Sequence, residues 1–395
     1  MSSVTPASQI HLRTPPEPGK KTTSRTYLIY FVTGNPGLVE YYRTFLTHLY
    51  GLLSHNTASD RDVEFQVYGR SLSGFEMNNA EIKTMKWRKQ PPYGLQDQIR
   101  HSEDELADLV EEVKEQGAKD VRVILVGHSV GAYISLEIIR RLRAHGMAGE
   151  DFETRVVGAI GLFPTVVDIA RSESGMKASV SGYHHSCEDG PTSIWRRLFT
   201  LLLSTYTNDL TQPFLKNSNF ATFAALFVNF LTFLLPISLI ANLIAKFMDF
   251  PSDAAQTTAA FVKSPHGIHQ ALHMARDEMF QIDTDIWDEE IWGAAASEPA
   301  TKHPHPRPIL RFLFAREDHW VADATRDALI HSRGRFSRGD GVDEIEGQGE
   351  NWKPIMEIDE REGWPHGFCI RHGVPVAERV AGYVRTIVAQ DMARK

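Results

Sequence analysis

Cysteine is almost missing from this chain: Cys187 and Cys369 are its only two in 395 residues. Two thiols so far apart in sequence cannot build a disulfide framework, which excludes the small stapled secreted scaffolds and suits a reducing compartment. Basic charge is in short supply as well. Lys and Arg number 42 against 50 Asp and Glu, a net charge of -8, with no basic segment hidden inside that balance. No zinc-ligand spacing and no aromatic-basic motif occurs, so nucleic acid is not an expected partner, and nothing in the sequence asks for a metal or an organic cofactor. The first residues lack an apolar h-region, and the expectation is a chain without a secretory signal, exposed to the cytosol. One absence is local: no charged residue lies between Lys216 and Lys246, where Phe, Leu, Ile and Ala dominate. That run points toward lipid. The rest is ordinary for a globular chain. With 42% hydrophobic and 23% charged residues a sizeable core is available, and the length fits one α/β domain carrying an insertion.

The most informative stretch reads as a strand, a sharp turn and a helix. Val121 to Val126 is a β-branched apolar run, and Gly127-His128-Ser129-Val130-Gly131 follows it directly. This is G-x-S-x-G in the context that a nucleophile elbow requires, because Ala132 to Ile139 then carries apolar residues at helical spacing. The two glycines have a steric reason. A serine held at a strained backbone angle between strand and helix leaves no room for a β-carbon on Gly127 or Gly131, and the strain lifts the Ser129 hydroxyl clear of the sheet.

The same strand-and-helix rhythm runs through the chain. Residues up to about Ser24 mix Ser, Thr, Pro and Lys without period and read as a mobile tail over 1–25. Tyr27 to Val32 is a continuous apolar strand ending in Thr33-Gly34-Asn35-Pro36-Gly37. Leu38 to Leu53 reads as a helix, Val63 to Tyr68 as a strand, Leu95 to Gln116 as a helix and Arg155 to Leu162 as a strand. The rhythm breaks near Ala170 and returns at Pro308 to Ala315. A polar Gly-rich loop follows from Arg333 to Gly349, then a short strand near Pro354 to Ile358 and a closing helix from about Val374 to Ala389. The economical fold is α/β: a mostly parallel, doubly wound sheet of the α/β-hydrolase kind, with its core in 26–169 and 307–395 and a helical, apolar cap insertion over 170–306.

A serine nucleophile needs a base to take its proton and an acid to orient the base, and in this fold the chain order is serine, acid, histidine. Asp318 lies just beyond the strand Ile309 to Phe314, where the orienting acid belongs; Glu317 and Asp323 are the alternatives. His366 sits between Pro365 and Gly367, after a short strand and before the last helix, and is the base; His372 is the second candidate. His128, His184 and His185 are read as bystanders to the proton transfer. The oxyanion donors are expected from the backbone N–H groups of Asn35, in the loop after an early strand, and Val130, the residue after the nucleophile.

These pieces together resemble the lipid droplet-associated hydrolase family, a branch of the serine α/β-hydrolases. The matching stretches are Gly34-Asn35-Pro36-Gly37 with Tyr41 or Tyr42 behind it, Leu95-Gln96-Asp97-Gln98-Ile99-Arg100-His101, Gly127-His128-Ser129-Val130-Gly131-Ala132-Tyr133 and Phe163-Pro164-Thr165. The resemblance implies triad roles for Ser129, Asp318 and His366, and a place on lipid droplets and the cytosolic face of the endoplasmic reticulum. The activity expected from residues and resemblance together is a serine esterase, lipase-like, acting on apolar acyl or sterol-type lipid esters through an acyl-enzyme. The rival expectation is a lipid-binding protein whose hydrolase site is weak or vestigial. The chain departs from many hydrolases in having Thr33 where they place His before the oxyanion glycine, and in the long gap between Asp318 and His366.

Membrane contact is expected through about 194–248. An uninterrupted helix from Asn217 to Ala245 would be long enough to span hydrocarbon, but Pro236 removes a helix hydrogen bond and divides the run into pieces of about 16 and 10 residues, neither of which spans alone. Arg196, Arg197 and Lys216 before the run and Lys246 after it keep both ends on one side. The expected form is a hairpin lying on one leaflet, with an apolar cap lining an acyl pocket as the alternative.

Overall fold

The structure is a computed structural model, and it describes residues 6–14, 25–56, 63–77, 90–147, 154–172, 220–287, 289–292, 305–337 and 353–394. Among the described residues eight strands form one sheet: β1 (Gln9–Leu12), β2 (Arg25–Val32), β3 (Val63–Arg70), β4 (Val121–His128), β5 (Arg155–Leu162), β6 (Ile309–Ala315), β7 (Arg335–Ser337) and β8 (Ile355–Asp359). Their order is β1-β3-β2-β4-β5-β6-β8-β7. All neighbours run parallel except β1, which pairs antiparallel with β3.

The apolar runs read from the sequence become the inner strands because both of their faces are covered. On β2, Leu28, Tyr30 and Val32 enter one core together with helices α2 (Leu95–Glu115) and α3 (Val130–Met147). Tyr27, Ile29 and Phe31 enter the other, with α1 (Arg43–Asn56) and the last helix, α10 (Gly373–Ala393). A strand buried on two faces has no polar side to alternate with, hence the continuous hydrophobic pattern. At the end of the sheet away from the serine, the Arg122 guanidinium on β4 bonds both carboxylate oxygens of Asp391 on α10, at 2.8 and 2.9 Å, with both side chains buried. The strand that precedes the serine and the helix that follows His366 are thereby tied together far from the site.

Between β5 and β6 the described part of the insertion is helical: α4 (Phe220–Phe233), α5 (Ile237–Met248), α6 (Ser252–Val262), α7 (Gly267–Gln281) and the single turn α8 (Glu289–Trp292). The remaining helix, α9 (Asp323–Arg333), follows β6. The break between α4 and α5 falls at Pro236, and the two axes differ by 108°. The carbonyls of Thr232 and Leu235 at this break are taken by the Lys263 ammonium, at 3.2 and 2.7 Å, so the kink leaves those backbone oxygens satisfied. Residues 173–219, which include His184, His185, Cys187 and the first part of the expected membrane-contacting stretch, lie outside the described residues.

Two edge strands differ from expectation. Gln9–Leu12, inside the stretch read as a mobile tail, is β1: Ile10 is buried and the His11 ring sits 3.1 Å from Gln66 Oε1 on β3. Arg335–Ser337, inside the stretch read as a polar loop, is β7. Three or four residues with one or two apolar side chains carry too little alternation to be separated from loop. The long gap between Asp318 and His366 holds α9, β7 and β8, with residues 338–352 outside the described ones.

Candidate active site

Ser129 is a non-glycine residue at φ 54°, directly after the last residue of β4. Its neighbours show why both glycines are needed. A Cβ on Gly127 would fall 2.3 Å from the Gly131 carbonyl oxygen, and one on Gly131 would fall 2.3 Å from Val32 O and 2.7 Å from Thr33 O. Backbone cannot yield to such overlaps, so the turn can close only with glycine at both positions. The Ser129 N–H donates to Leu162 O at 3.0 Å, stitching the strained residue to the end of β5.

His366 lies above this serine. Its Nε2 is 3.0 Å from Ser129 Oγ, and its Nδ1 is 2.8 Å from Asp318 Oδ2. The other carboxylate oxygen, Oδ1, accepts the Trp320 backbone N–H at 2.8 Å. A carboxylate only accepts, so Nδ1 carries the imidazole proton and the Nε2 lone pair faces the Ser129 hydroxyl. Asp318 is buried while the His366 ring keeps some exposure, at 4% and 16% of the side chain. Of the alternatives, Glu317 is exposed, and Asp323 turns outward to pair with Arg326 at 2.9 Å. His372 is the residue before α10, and its buried Nδ1 has no hydrogen-bond partner among the described residues.

The loop after β2 passes directly beside the serine. A Cβ on Gly34 would sit 3.1 Å from Ser129 Cβ and 2.8 Å from His128 Nδ1, so only a glycine lets the loop come this close. The Gly34 N–H donates to Tyr42 Oη at 3.2 Å, and Pro36 has no N–H to give. Between 34 and 36 this leaves Asn35 as the loop's other N–H. Val130 is the first residue of α3, whose opening N–H groups have no partner within the helix. Thr33, directly before Gly34, is fully buried.

A family model described as lipid-droplet associated hydrolase matches residues 25–369. The chain belongs to this family. The resemblance read from the elbow, the Gly34 to Gly37 turn and the stretch opening α2 is thus borne out across most of the chain. A Gallus gallus protein named Lipid droplet-associated hydrolase is 32% identical over 149 residues, 38% of this chain and 40% of that one. One of the same name from Dictyostelium discoideum is 31% identical over 147 residues, 37% of this chain and 40% of that one. The matched stretch therefore spans about two fifths of the length of these curated relatives. Among solved structures, a peroxisomal alpha-beta-hydrolase from Saccharomyces cerevisiae superposes with a TM-score of 0.50 at 11% identity, over 96% of this chain and 82% of that one. At that identity the likeness concerns fold alone, and the fold is that of the α/β-hydrolases.

Beside the family's motif residues stand groups that sequence reasoning missed. His128, set aside as a bystander, is buried; its Nδ1 is 2.7 Å from Tyr42 Oη and its Nε2 is 2.9 Å from the His366 carbonyl oxygen. From the insertion, α7 reaches the Asn35 side chain, whose Nδ2 donates to Ala271 O at 3.1 Å and to Glu278 Oε1 at 2.9 Å. Burial, with Asn35 opposing and Asp277 adding, pushes the Glu278 carboxyl up to about 8. Among the described residues no cluster of three or more His, Cys, Asp or Glu is arranged to hold a metal ion. The position of His128 inside G-x-S-x-G was a signal that could have been read, since a residue next to the nucleophile must pack somewhere near it. Glu278 offered none, because pairing across the insertion leaves no mark on local sequence.

Proposed function

We propose that the protein is a serine ester hydrolase that acts on apolar acyl or sterol-type lipid esters at the surface of lipid droplets or the cytosolic face of the endoplasmic reticulum. The observation that carries this is Ser129 at a positive φ with His366 Nε2 3.0 Å from its hydroxyl and Asp318 2.8 Å behind the imidazole. In the reaction, Ser129 Oγ attacks the ester carbonyl while His366 Nε2 takes the hydroxyl proton. Asp318 keeps Nδ1 protonated and stabilises the imidazolium. The backbone N–H groups of Asn35 and Val130 receive the charge that develops on the carbonyl oxygen, aided by the N-terminus of α3. The alcohol leaves with the proton from His366, and a water, activated by the same histidine, releases the acyl group. No metal or organic cofactor takes part in this scheme.

The lipid surface is supported by α4 and α5. Phe223, Leu226, Phe227, Phe230, Phe233 and Leu234 are all exposed, Phe230 to 78% and Leu234 to 84%. So large a run of exposed aromatic and aliphatic side chains is what a soluble surface avoids. Among the described residues no single helix is long and apolar enough to cross a membrane, and the α4–α5 pair passes that test only together, across its bend. A pair lying in the plane of a lipid monolayer fits this shape, its apolar side down and its opposite side packed on α6 and α7. The relatives' name, lipid droplet-associated hydrolase, agrees with this reading. The same exposed pair favours a second reading, a lipid-surface protein whose turnover is weak or vestigial. Purified protein assayed against ester, thioester and amide panels, with Ser129→Ala as the blank, separates the two: serine-dependent turnover of apolar esters supports the enzyme, and identical rates in both proteins support the binding protein.

A further inference from the structure

The Tyr42 hydroxyl and the His128 ring lie beneath the serine, each almost wholly buried at 3% and 5% exposure. Their hydrogen bonds admit one arrangement of protons. The His366 carbonyl can only accept, so His128 Nε2, 2.9 Å away, carries the ring proton. His128 Nδ1 is then a lone pair, and the Tyr42 O–H, 2.7 Å from it, must donate. With its proton committed, the Tyr42 oxygen accepts the Gly34 N–H at 3.2 Å. Neither ring is charged: burial, with His366 adding, holds His128 well below the ordinary histidine range, and burial holds Tyr42 well above the ordinary phenol range. Aromatic contacts keep the His128 ring in plane, since Phe368 meets it edge-on at 5.1 Å and the His366 ring lies 5.1 Å away.

This relay joins two loops that meet nowhere else in the sequence. One end is the N–H of Gly34, the residue before the expected oxyanion donor Asn35; the other is the backbone of His366 itself. We propose that Tyr42 and His128 are positioning residues that clamp the oxyanion loop and the histidine loop to each other, so that the carbonyl site and the base keep one fixed register over Ser129. The proposal rests on the serine-hydrolase reading. Tyr42 and His128 bond each other and the backbone of the two loops. They act through the backbone they hold, and the demand is geometric, because a base displaced by an ångström loses most of its effect. The side chain between Gly127 and Ser129 is therefore a working part, bonded to Tyr42 on one side and to the His366 carbonyl on the other.

Four variants test this with a short-chain nitrophenyl ester as substrate. Tyr42→Phe removes one oxygen, and His128→Leu removes both polar contacts at similar size. His128→Gln restores an N–H toward the His366 carbonyl, and His128→Asn restores an acceptor toward Tyr42. The expected result is a fall in kcat of about 10- to 100-fold in Tyr42→Phe and His128→Leu, with KM within about threefold, because the chemistry and not substrate binding loses its geometry. At least one of the two amide variants recovers most of that loss, which a purely structural role would not produce. Ser129 in each variant still reaches one equivalent of fluorophosphonate label, only more slowly. The proposal is overturned if folded Tyr42→Phe keeps kcat within about twofold of the parent, or if KM rises while kcat stays. Tyr42→Phe decides the matter even where His128→Leu does not fold. Failure of the parent protein to label at Ser129 would sink the serine-hydrolase reading instead, so the two failures are distinguishable.

Discussion

The side-chain amide of Asn35, on the loop after β2, donates a 2.9 Å hydrogen bond to the buried Glu278 carboxyl on α7, linking the helical insertion to the loop that passes beside Ser129. Glu278 is pushed from the ordinary 4.5 up to about 8 by burial, so in the folded protein it holds its proton through neutral pH. The unfolded chain releases that proton near 4.5. Between these values the folded state binds more protons, so stability falls as pH rises from about 4.5 to 8 and levels off above, a change of a few kcal/mol. Glu278→Gln keeps the acceptor for Asn35 and cannot ionise. Chemical denaturation across this pH range is expected to show a flatter profile in the variant, which gains stability over the parent as pH approaches 8. Parallel profiles would contradict the assignment.

The two acids near the end of β6 separate cleanly. Asp318→Asn leaves the loop's shape but presents an amide to His366 Nδ1, favours the wrong tautomer, and is expected to lower kcat by about 10³- to 10⁴-fold. Asp323→Asn removes one exposed carboxylate from the buried Arg326, which keeps Asp327 and the Ala315 and Arg316 carbonyls as partners, and kcat is expected to stay within about twofold, since a carboxylate so open to solvent adds little. The ranking is read from kcat of the two purified variants, and its reversal would move the acid to Asp323.

The elbow glycines are a matter of stability before they are one of activity. Gly131→Ala places a Cβ 2.3 Å from Val32 O, and neither β2 nor α3 can shift without disturbing the sheet. A loss of about 3 kcal/mol or more is expected in urea denaturation, or no folded protein at all. A Gly131→Ala protein as stable as the parent would mean that the strand-to-helix turn is looser than its distances imply.

Much of this was legible in sequence, and the reasons are physical. The inner strands announce themselves because burial on both faces leaves them no polar position, and the elbow does because backbone crowding at Gly127 and Gly131 admits one residue type. Asp318 and His366 could be singled out from many acids and seventeen histidines because each follows a late strand, β6 or β8, and neighbouring parallel strands bring their carboxyl ends together. The kink at Pro236 followed from a missing N–H. What stayed hidden were relations between distant side chains. Glu278 reaches Asn35 from α7, and Tyr42 reaches His128 from the turn before α1, through three-dimensional proximity alone. The strands Gln9–Leu12 and Arg335–Ser337 escaped because an edge strand of three or four residues draws its order from the neighbour it pairs with.

The exposed apolar pair makes a separate prediction. Phe230→Asp with Leu234→Asp places two charges where α4 ends, at side chains that make little contact with the rest of the protein. Melting temperature is expected to change by no more than a few degrees, while flotation with phosphatidylcholine vesicles filled with neutral lipid falls by about tenfold or more. Equal flotation of the double variant and the parent would remove α4 from the lipid contact.

Activation of Ser129 by His366 is the step on which the proposed reaction depends. Its most direct measurement is covalent labelling of the purified protein by a fluorophosphonate, with the modified residue located by peptide mass spectrometry. One equivalent on Ser129 is expected, with no label in Ser129→Ala and labelling in His366→Ala slowed by about 10³-fold or more with the fold retained. A folded parent that stays unlabelled, or carries the label on another residue with ester turnover unchanged in Ser129→Ala, would contradict it.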